Sequence, residues 1–191
     1  RRSTPVHLEW SIGMREETGE DAPRSVRLRL PDGRSLSVRG RIDRVDREPD
    51  GAFVIWDYKT GGPARYSLSD PVRQGRVMQP ALYVEMASGA LRAFYGDTAE
   101  ATAFGFFFPG PRGHGQRMRW RRENLNQWSE VLKNLCDILA SGAFIATDED
   151  SSSGAPPDCK HCEHQAACGD LHETVAASSD KIGRASCRER V

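Results

Sequence analysis

Three side chains at the ends of two extended runs have the types and spacing of a site for a hard divalent cation. One run closes as Gly40-Arg41-Ile42-Asp43-Arg44-Val45-Asp46, and the next as Trp56-Asp57-Tyr58-Lys59-Thr60-Gly61. Asp57 and Lys59 are two apart, so in a strand both leave on the same face. A cation such as Mg²⁺ or Mn²⁺ takes charged oxygens in an open octahedral shell that keeps waters and a phosphate oxygen. Asp43 and Asp57 supply such a pair, and a backbone oxygen just after Asp57 is a natural extra ligand. Lys59 would orient or activate a water and stabilise charge developing on a phosphate. An isolated D-x-K is more often a surface ion pair. The context sets this one apart: an apolar strand ends in D-x-K soon after another ends in G-x-x-D-R-x-D. Arg44 and Asp46 read as a structural salt bridge, with a phosphate contact by Arg44 as the alternative.

A second cluster lies near the C-terminus, where Cys159, Cys162 and Cys168 follow C-x2-C-x5-C spacing. Three thiolates this close suit zinc or an iron–sulfur cluster. His161 or His164 would complete a Cys3His zinc site; a distant cysteine would instead complete a [4Fe–4S] site. Cys136 lies in a helical pattern and reads as a buried thiol.

The elements that must position these groups follow from periodicity and turn chemistry. Ser25–Leu30 and Ser35–Val45 alternate around Pro31-Asp32-Gly33-Arg34 and read as a hairpin. Glu48-Pro49-Asp50-Gly51 is a turn, and Ala52–Trp56 is a short apolar run suited to a buried central strand. Val72–Ala87 turns helical, with Pro80 placing its start close to Met78. Ala101–Phe108 is a second apolar strand, and Arg117–Trp120 a short edge strand. Glu123–Leu139 is an amphipathic helix carrying Leu125, Trp128, Val131, Leu132, Leu135 and Leu139 on one face. The order predicts an α/β layer around a mixed sheet.

Composition narrows the class. The 191 residues hold 27 Lys+Arg against 27 Asp+Glu and 38% hydrophobic residues, enough for one domain with its own core. No run approaches the roughly 20 apolar residues of a spanning helix, and no secretory leader is evident, so a cytoplasmic location is expected. The chain opens at Arg1 without Met and reads as a fragment. Lys181–Val191 (KIGRASCRERV) reads as the translation of a sequencing adapter; without it, 23 basic face 26 acidic residues, a formal charge of −3. Bulk charge therefore gives nucleic-acid binding no support, and local clusters must carry it. Arg65, Arg73 and Arg76 flank the D-x-K loop. Arg117, Arg119 and Arg121 share a strand face near Arg112, His114, Trp120 and Arg122, and either track a phosphate backbone or form a solvated edge.

Taken together, GRIDRVD, WDYKTG and Gln79-Pro80-Ala81-Leu82-Tyr83 resemble the RecB-like nucleases of the PD-(D/E)xK superfamily. Over about residues 5 to 170 the likeness is to the C-terminal nuclease domain of AddB-type helicase–nuclease subunits. The resemblance implies a restriction-endonuclease-like mixed β-sheet flanked by helices, with a C-terminal Cys-rich metal-cluster segment. It makes Asp43 and Asp57 metal ligands and Lys59 catalytic, and sets Gln79 and Tyr83 against the site to contact DNA or support Lys59. It also implies a [4Fe–4S] cluster on Cys159, Cys162 and Cys168 that pins the chain end to the domain. The family's upstream cysteine and its helix with a metal-binding His are not in this sequence. His7 lies in Pro5–Met14, the segment after that helix, and is not taken as the missing ligand.

The expected organisation is a nuclease core over 1–147, a linker over 148–158, the Cys cluster over 159–170, a tail over 171–180 and the adapter-like 181–191. The implied function is Mg²⁺-dependent DNA hydrolysis, exonucleolytic rather than endonucleolytic, in end processing for recombinational repair, attached to or partnered with a helicase. A stand-alone exonuclease of the CRISPR-adaptation type and a non-catalytic, zinc-stabilised DNA-binding module are the alternatives.

Overall fold

The computed structural model describes residues 3–14, 25–72 and 77–141. The chain divides into two compact units, residues 1–133 and 134–191. The first holds seven strands and the principal helix. The second is described only over residues 134–141.

The central sheet has five strands: β1 (Thr4–Ile12), β4 (Gly40–Arg47), β5 (Phe53–Tyr58), β6 (Ala101–Phe108) and β7 (Gln116–Arg121), in the spatial order β1-β4-β5-β6-β7. Only β5 and β6 run parallel; every other neighbouring pair is antiparallel. A parallel pair needs a crossover connection, and helix α1 (Gln79–Tyr95) lies within it. A separate hairpin pairs β2 (Val26–Arg29) with β3 (Ser35–Val38). Helix α2 spans Trp128–Ala140.

The turns close as their residues dictate. Between β2 and β3, Gly33 adopts φ 85° and donates its N–H to the Leu30 carbonyl at 3.0 Å, while Asp32 accepts the Arg34 amide. Between β4 and β5, Gly51 adopts φ 91° and Asp50 accepts the Ala52 amide. These left-handed positions favour glycine, which has no Cβ to clash.

The core forms between α1 and one face of the sheet. Phe104, Phe106, Phe108, Ile55, Val45 and Trp120 meet Ala81, Val84, Ala87, Ala90 and Leu91 of the helix. Small residues on α1 allow close approach: a Cβ on Gly89 would come within 2.6 Å of Val26 in the hairpin. On the sheet, a Cβ on Gly105 would strike the Trp56 indole at 2.4 Å. Ser88, fully buried, donates to the Val84 carbonyl and accepts the Ala101 amide, so its hydroxyl is satisfied where α1 meets β6.

The mixed α/β sheet matches the expected class, and four boundaries differ from the sequence reading. Ser35–Val45 is not one strand: it breaks at Arg39, β3 pairing with β2 and β4 entering the main sheet. The break falls beside Gly40, where a Cβ would lie 3.2 Å from Met86 of α1. Pro5–Met14 contributes strand β1, on an edge of the sheet. Helix α1 starts where expected but runs on to Tyr95, ending at Gly96 with φ 99°. The second helix starts later than Glu123: Arg122–Leu125 is a 3₁₀ turn that buries Leu125, and Leu139 is 64% exposed. Among the described residues no helix is long and apolar enough to cross a membrane.

Candidate active site

Asp57 stands near the end of β5, and the two-residue period of that strand puts Phe53, Ile55 and Asp57 on the face covered by α1. Its side chain is buried, with the residue only 4% exposed. One carboxylate oxygen, Oδ1, accepts a hydrogen bond from Gln79 Nε2 at 2.6 Å. The other, Oδ2, lies 2.6 Å from Lys59 Nζ as an ion pair, yet it is buried without a well-directed hydrogen bond. Lys59 Nζ donates instead to Gln79 Oε1 at 2.9 Å and sits 5.0 Å above the Phe106 ring. Asp57, Lys59 and Gln79 thus form a closed ring built from the end of β5, the loop after it and the first residue of α1.

Asp43 reaches the same place from β4. The β4–β5 register runs from Arg47↔Phe53 to Arg44↔Trp56, so the next position sets Asp43 opposite Asp57. Ladder pairing stops there, and Asp43 Oδ2 accepts the Tyr58 amide at 2.7 Å. The local backbone is irregular in both flanking strands. Ile42 and Val45, three apart, are both buried in the core, which interrupts the two-residue alternation of β4 between them. In β1, Leu8 pairs with Arg44 and Trp10 with Ile42, placing Glu9 against Asp43; Glu9 has a left-handed φ of 50° and pairs with Arg41 at 3.0 Å. Irregular backbone of this kind concentrates at functional sites.

Burial pushes the Asp57 carboxyl above its ordinary range; the Lys59 ammonium and the Gln79 amide oppose that shift, and the Asp43 charge adds to it. Two carboxylates that face each other, one of them buried with an oxygen lacking a hydrogen bond, form a site that a small hard cation would stabilise. The residues able to hold one here are Asp43 and Asp57. Among the described residues no group of three or more His, Cys, Asp and Glu closes on a common point.

The remaining sequence candidates divide. Tyr83 packs edge-on against Phe104 at 6.2 Å and lies beside Gly40, an interior contact. Arg65 is exposed in a 3₁₀ turn over Pro63–Arg65. Arg73, Arg76, Cys159, Cys162 and Cys168 lie outside the described residues, and Cys136 is a half-buried free thiol. Arg44 makes the salt bridge read from the sequence, with two contacts to Asp46 at 2.5 and 2.7 Å. The basic strand splits by function: Arg119 pairs with Glu48, Arg122 with Glu85 and Glu100, and Trp120 is 2% exposed with its indole N–H donated to the Leu68 carbonyl. Trp120 is therefore a core residue and presents no ring to a base. The contribution that sequence reasoning missed is the Tyr58 amide, whose link to Asp43 becomes visible only once the hairpin register is known.

His7 is not at this site. It stacks on Trp10 at 4.1 Å, meets Phe94 and Tyr95 edge-on, and its Nε2 lies 3.1 Å from the Tyr95 hydroxyl. Burial lowers its pKa from the ordinary 6.5. A depressed folded-state pKa favours the neutral ring, so stability is present above the unfolded value and is lost as pH falls through the folded one. The melting temperature should therefore drop between pH 7.5 and about 5.5, within the usual histidine range, and His7→Gln should flatten that part of the profile.

The sequence profile described as the PD-(D/E)XK nuclease superfamily matches residues 1–169. No curated protein matches the chain.

Proposed function

The chain belongs to the PD-(D/E)XK nuclease superfamily, and from that premise we propose that Asp43, Asp57 and Lys59 form a metal-dependent site that hydrolyses phosphodiester bonds in DNA. The observation carrying this reading is the buried Asp57 carboxylate, one oxygen without a hydrogen bond, opposite Asp43 and ringed by Lys59 and Gln79.

Bound at the two carboxylates, Mg²⁺ or Mn²⁺ would supply Lewis acidity at the phosphate and a water acidified toward neutral pH. The chain's own residues do the rest. Lys59 places a positive charge where the attacking water meets the non-bridging phosphate oxygens, which become more negative as the water oxygen bonds to phosphorus and the ester P–O bond breaks. The attacking water gives up its proton to solvent, and the leaving oxygen takes one from solvent. Gln79 holds Lys59 and Asp57 in one arrangement through its two amide atoms, and the Tyr58 amide fixes Asp43. Phe106 beneath Lys59 keeps that side of the site apolar, which strengthens the charge interactions. Gln79→Ala should cost about 10- to 100-fold in cleavage rate, the range for groups that orient ligands, with DNA affinity little changed; single-turnover kinetics would show it.

Finer assignments extend the same proposal. The GRIDRVD, WDYKTG and QPALY motifs support an AddB-like domain that acts exonucleolytically in the cytoplasm on ends delivered by a helicase in double-strand-break repair. The C-x2-C-x5-C triplet supports a [4Fe–4S] cluster. Labelled linear and circular DNAs with Mg²⁺ test the chemistry. Degradation of linear strands with circles spared fits this reading, and no cleavage of either refutes it. Brown colour with iron and sulfide after anaerobic purification fits the cluster, whereas stoichiometric zinc in colourless protein refutes it.

A further inference from the structure

We propose that the tip of the sheet is a track for single-stranded DNA, running from the Asp57–Lys59 site over the β6–β7 turn to an aromatic and guanidinium surface on the opposite face. The proposal rests on the nuclease reading for the origin of the strand, and on a separate set of residues for the track.

Alternation along β5 puts Trp56 and Tyr58 on the face away from Asp57. At this end of the sheet Tyr58, Phe107 and Arg117 stand side by side on three adjacent strands, Tyr58 in register with Phe107 and Phe107 with Arg117. Tyr58 meets Phe107 edge-on at 5.6 Å and is 40% exposed. The Arg117 guanidinium lies 4.9 Å from the Phe107 ring and 5.3 Å from the Trp56 ring. Its neighbours on this surface are neutralised, Arg44 by Asp46 and Arg119 by Glu48. Among the described residues no carboxylate pairs with Arg117 or with Arg112.

The turn connects the two faces. Lys59 donates its amide to the Phe107 carbonyl at 2.9 Å, so the β6–β7 turn leaves the sheet beside the catalytic lysine. The turn also touches the loop after β5: a Cβ on Gly62 would lie 3.1 Å from the Arg112 carbonyl, and one on Gly110 would lie 3.2 Å from the Thr60 carbonyl. Arg112 and His114 are exposed on it, His114 with a left-handed φ of 49°. No Asp or Glu occurs from Lys59 to Tyr66 or from Pro109 to Arg122. Neither loop thus carries a carboxylate of its own beside Arg112 and Arg117.

Unpaired guanidinium groups beside an exposed ring match a strand whose phosphates are spaced along unstacked bases, since each base offers a π-face regardless of sequence. An acidic peptide would use the arginines but leave the ring without a role. A duplex would keep its bases stacked and could not cover Tyr58.

The test is binding of labelled oligothymidylate to the full chain in EDTA, followed by fluorescence anisotropy across a salt series. Replacing both Arg112 and Arg117 with Ala should reduce the slope of log affinity against log salt by about 1.4, at about 0.7 for each single-strand phosphate that is no longer neutralised. Tyr58→Ala keeps the amide that serves Asp43 and should weaken binding about tenfold, the loss of one stacked base. Arg112→Glu, in an exposed turn, serves as a second charge variant and should weaken binding further than Ala, while Arg119→Ala should match wild type. Wild-type slope and affinity in the Arg and Tyr58 variants would overturn the track even with the nuclease reading intact. Failure of the unaltered chain to bind DNA would remove both. Equal affinity for blunt duplex, insensitive to Tyr58→Ala, would also overturn it.

Discussion

Asp57→Asn should lower Mg²⁺-dependent DNA cleavage by on the order of 10³-fold or more, because a charged ligand contributes several kcal/mol of transition-state stabilisation through the ion it holds. The same substitution should barely move the melting temperature. Asp57 is a poor site for a charge in the metal-free fold: burial pushes its pKa up, and one of its oxygens has no hydrogen bond. An asparagine keeps the Gln79 bond to Oδ1 and sheds the buried charge. Lys59 loses its ion-pair partner, but its side chain is 26% exposed and also bonded to Gln79, so it retains both water and an acceptor. A large fall in activity with little change in stability separates a functional carboxylate from a structural one. Parallel thermal melts and initial rates measure both; a fall in melting temperature large enough to explain the lost activity would contradict this account.

Lys59→Met should reduce the single-turnover rate by about 10²- to 10³-fold, the range for removing one preorganised group that meets developing charge. Methionine keeps an unbranched apolar stem above Phe106, so packing is preserved while the ammonium is lost. The pH profile should move as well. Lys59 is the leading group holding the Asp57 pKa down against burial, so without it the carboxylate ionises only at higher pH. The acid limb of the rate profile should shift toward alkaline pH. A lysine acting only as an ion pair would shift that limb as well, but would leave the rate on the pH plateau unchanged.

How much of this was legible before any coordinates depends on the range over which each signal acts. Asp57 and Lys59 share a face because strand alternation is local, and D-x-K displays it directly. Asp43 needed one further step, the pairing of two strands joined by a Pro-Asp-Gly turn, which the turn residues specify. Gln79 lies twenty-two residues from Asp57 in sequence; only the family likeness singled it out, and its two-sided bridge depends on how α1 packs.

The misses follow from tertiary forces that periodicity does not encode. Strand β1 was hidden because Glu9 takes a left-handed conformation and His7 and Trp10 stack on one another across the irregularity. Helix α1 runs past Ala87 through Ser88-Gly89, where Val26 leaves no room for a side chain and Ser88 bonds its hydroxyl within the core. The Arg117–Arg121 strand reads as one basic face, yet carboxylates contributed by other elements decide which of its charges remain free. Arg119 is neutralised by Glu48, whereas Arg117 sits on two rings without such a partner.

The central claim is that Asp43 and Asp57 hold one hard cation between them. Titrating Mn²⁺ into the metal-free chain and following free ion by electron paramagnetic resonance tests it without relying on activity. The account predicts a Mn²⁺ ion, displaceable by excess Mg²⁺, that is lost in Asp43→Ala and in Asp57→Ala alike. Mn²⁺ binding that survives both substitutions at unchanged affinity would contradict it.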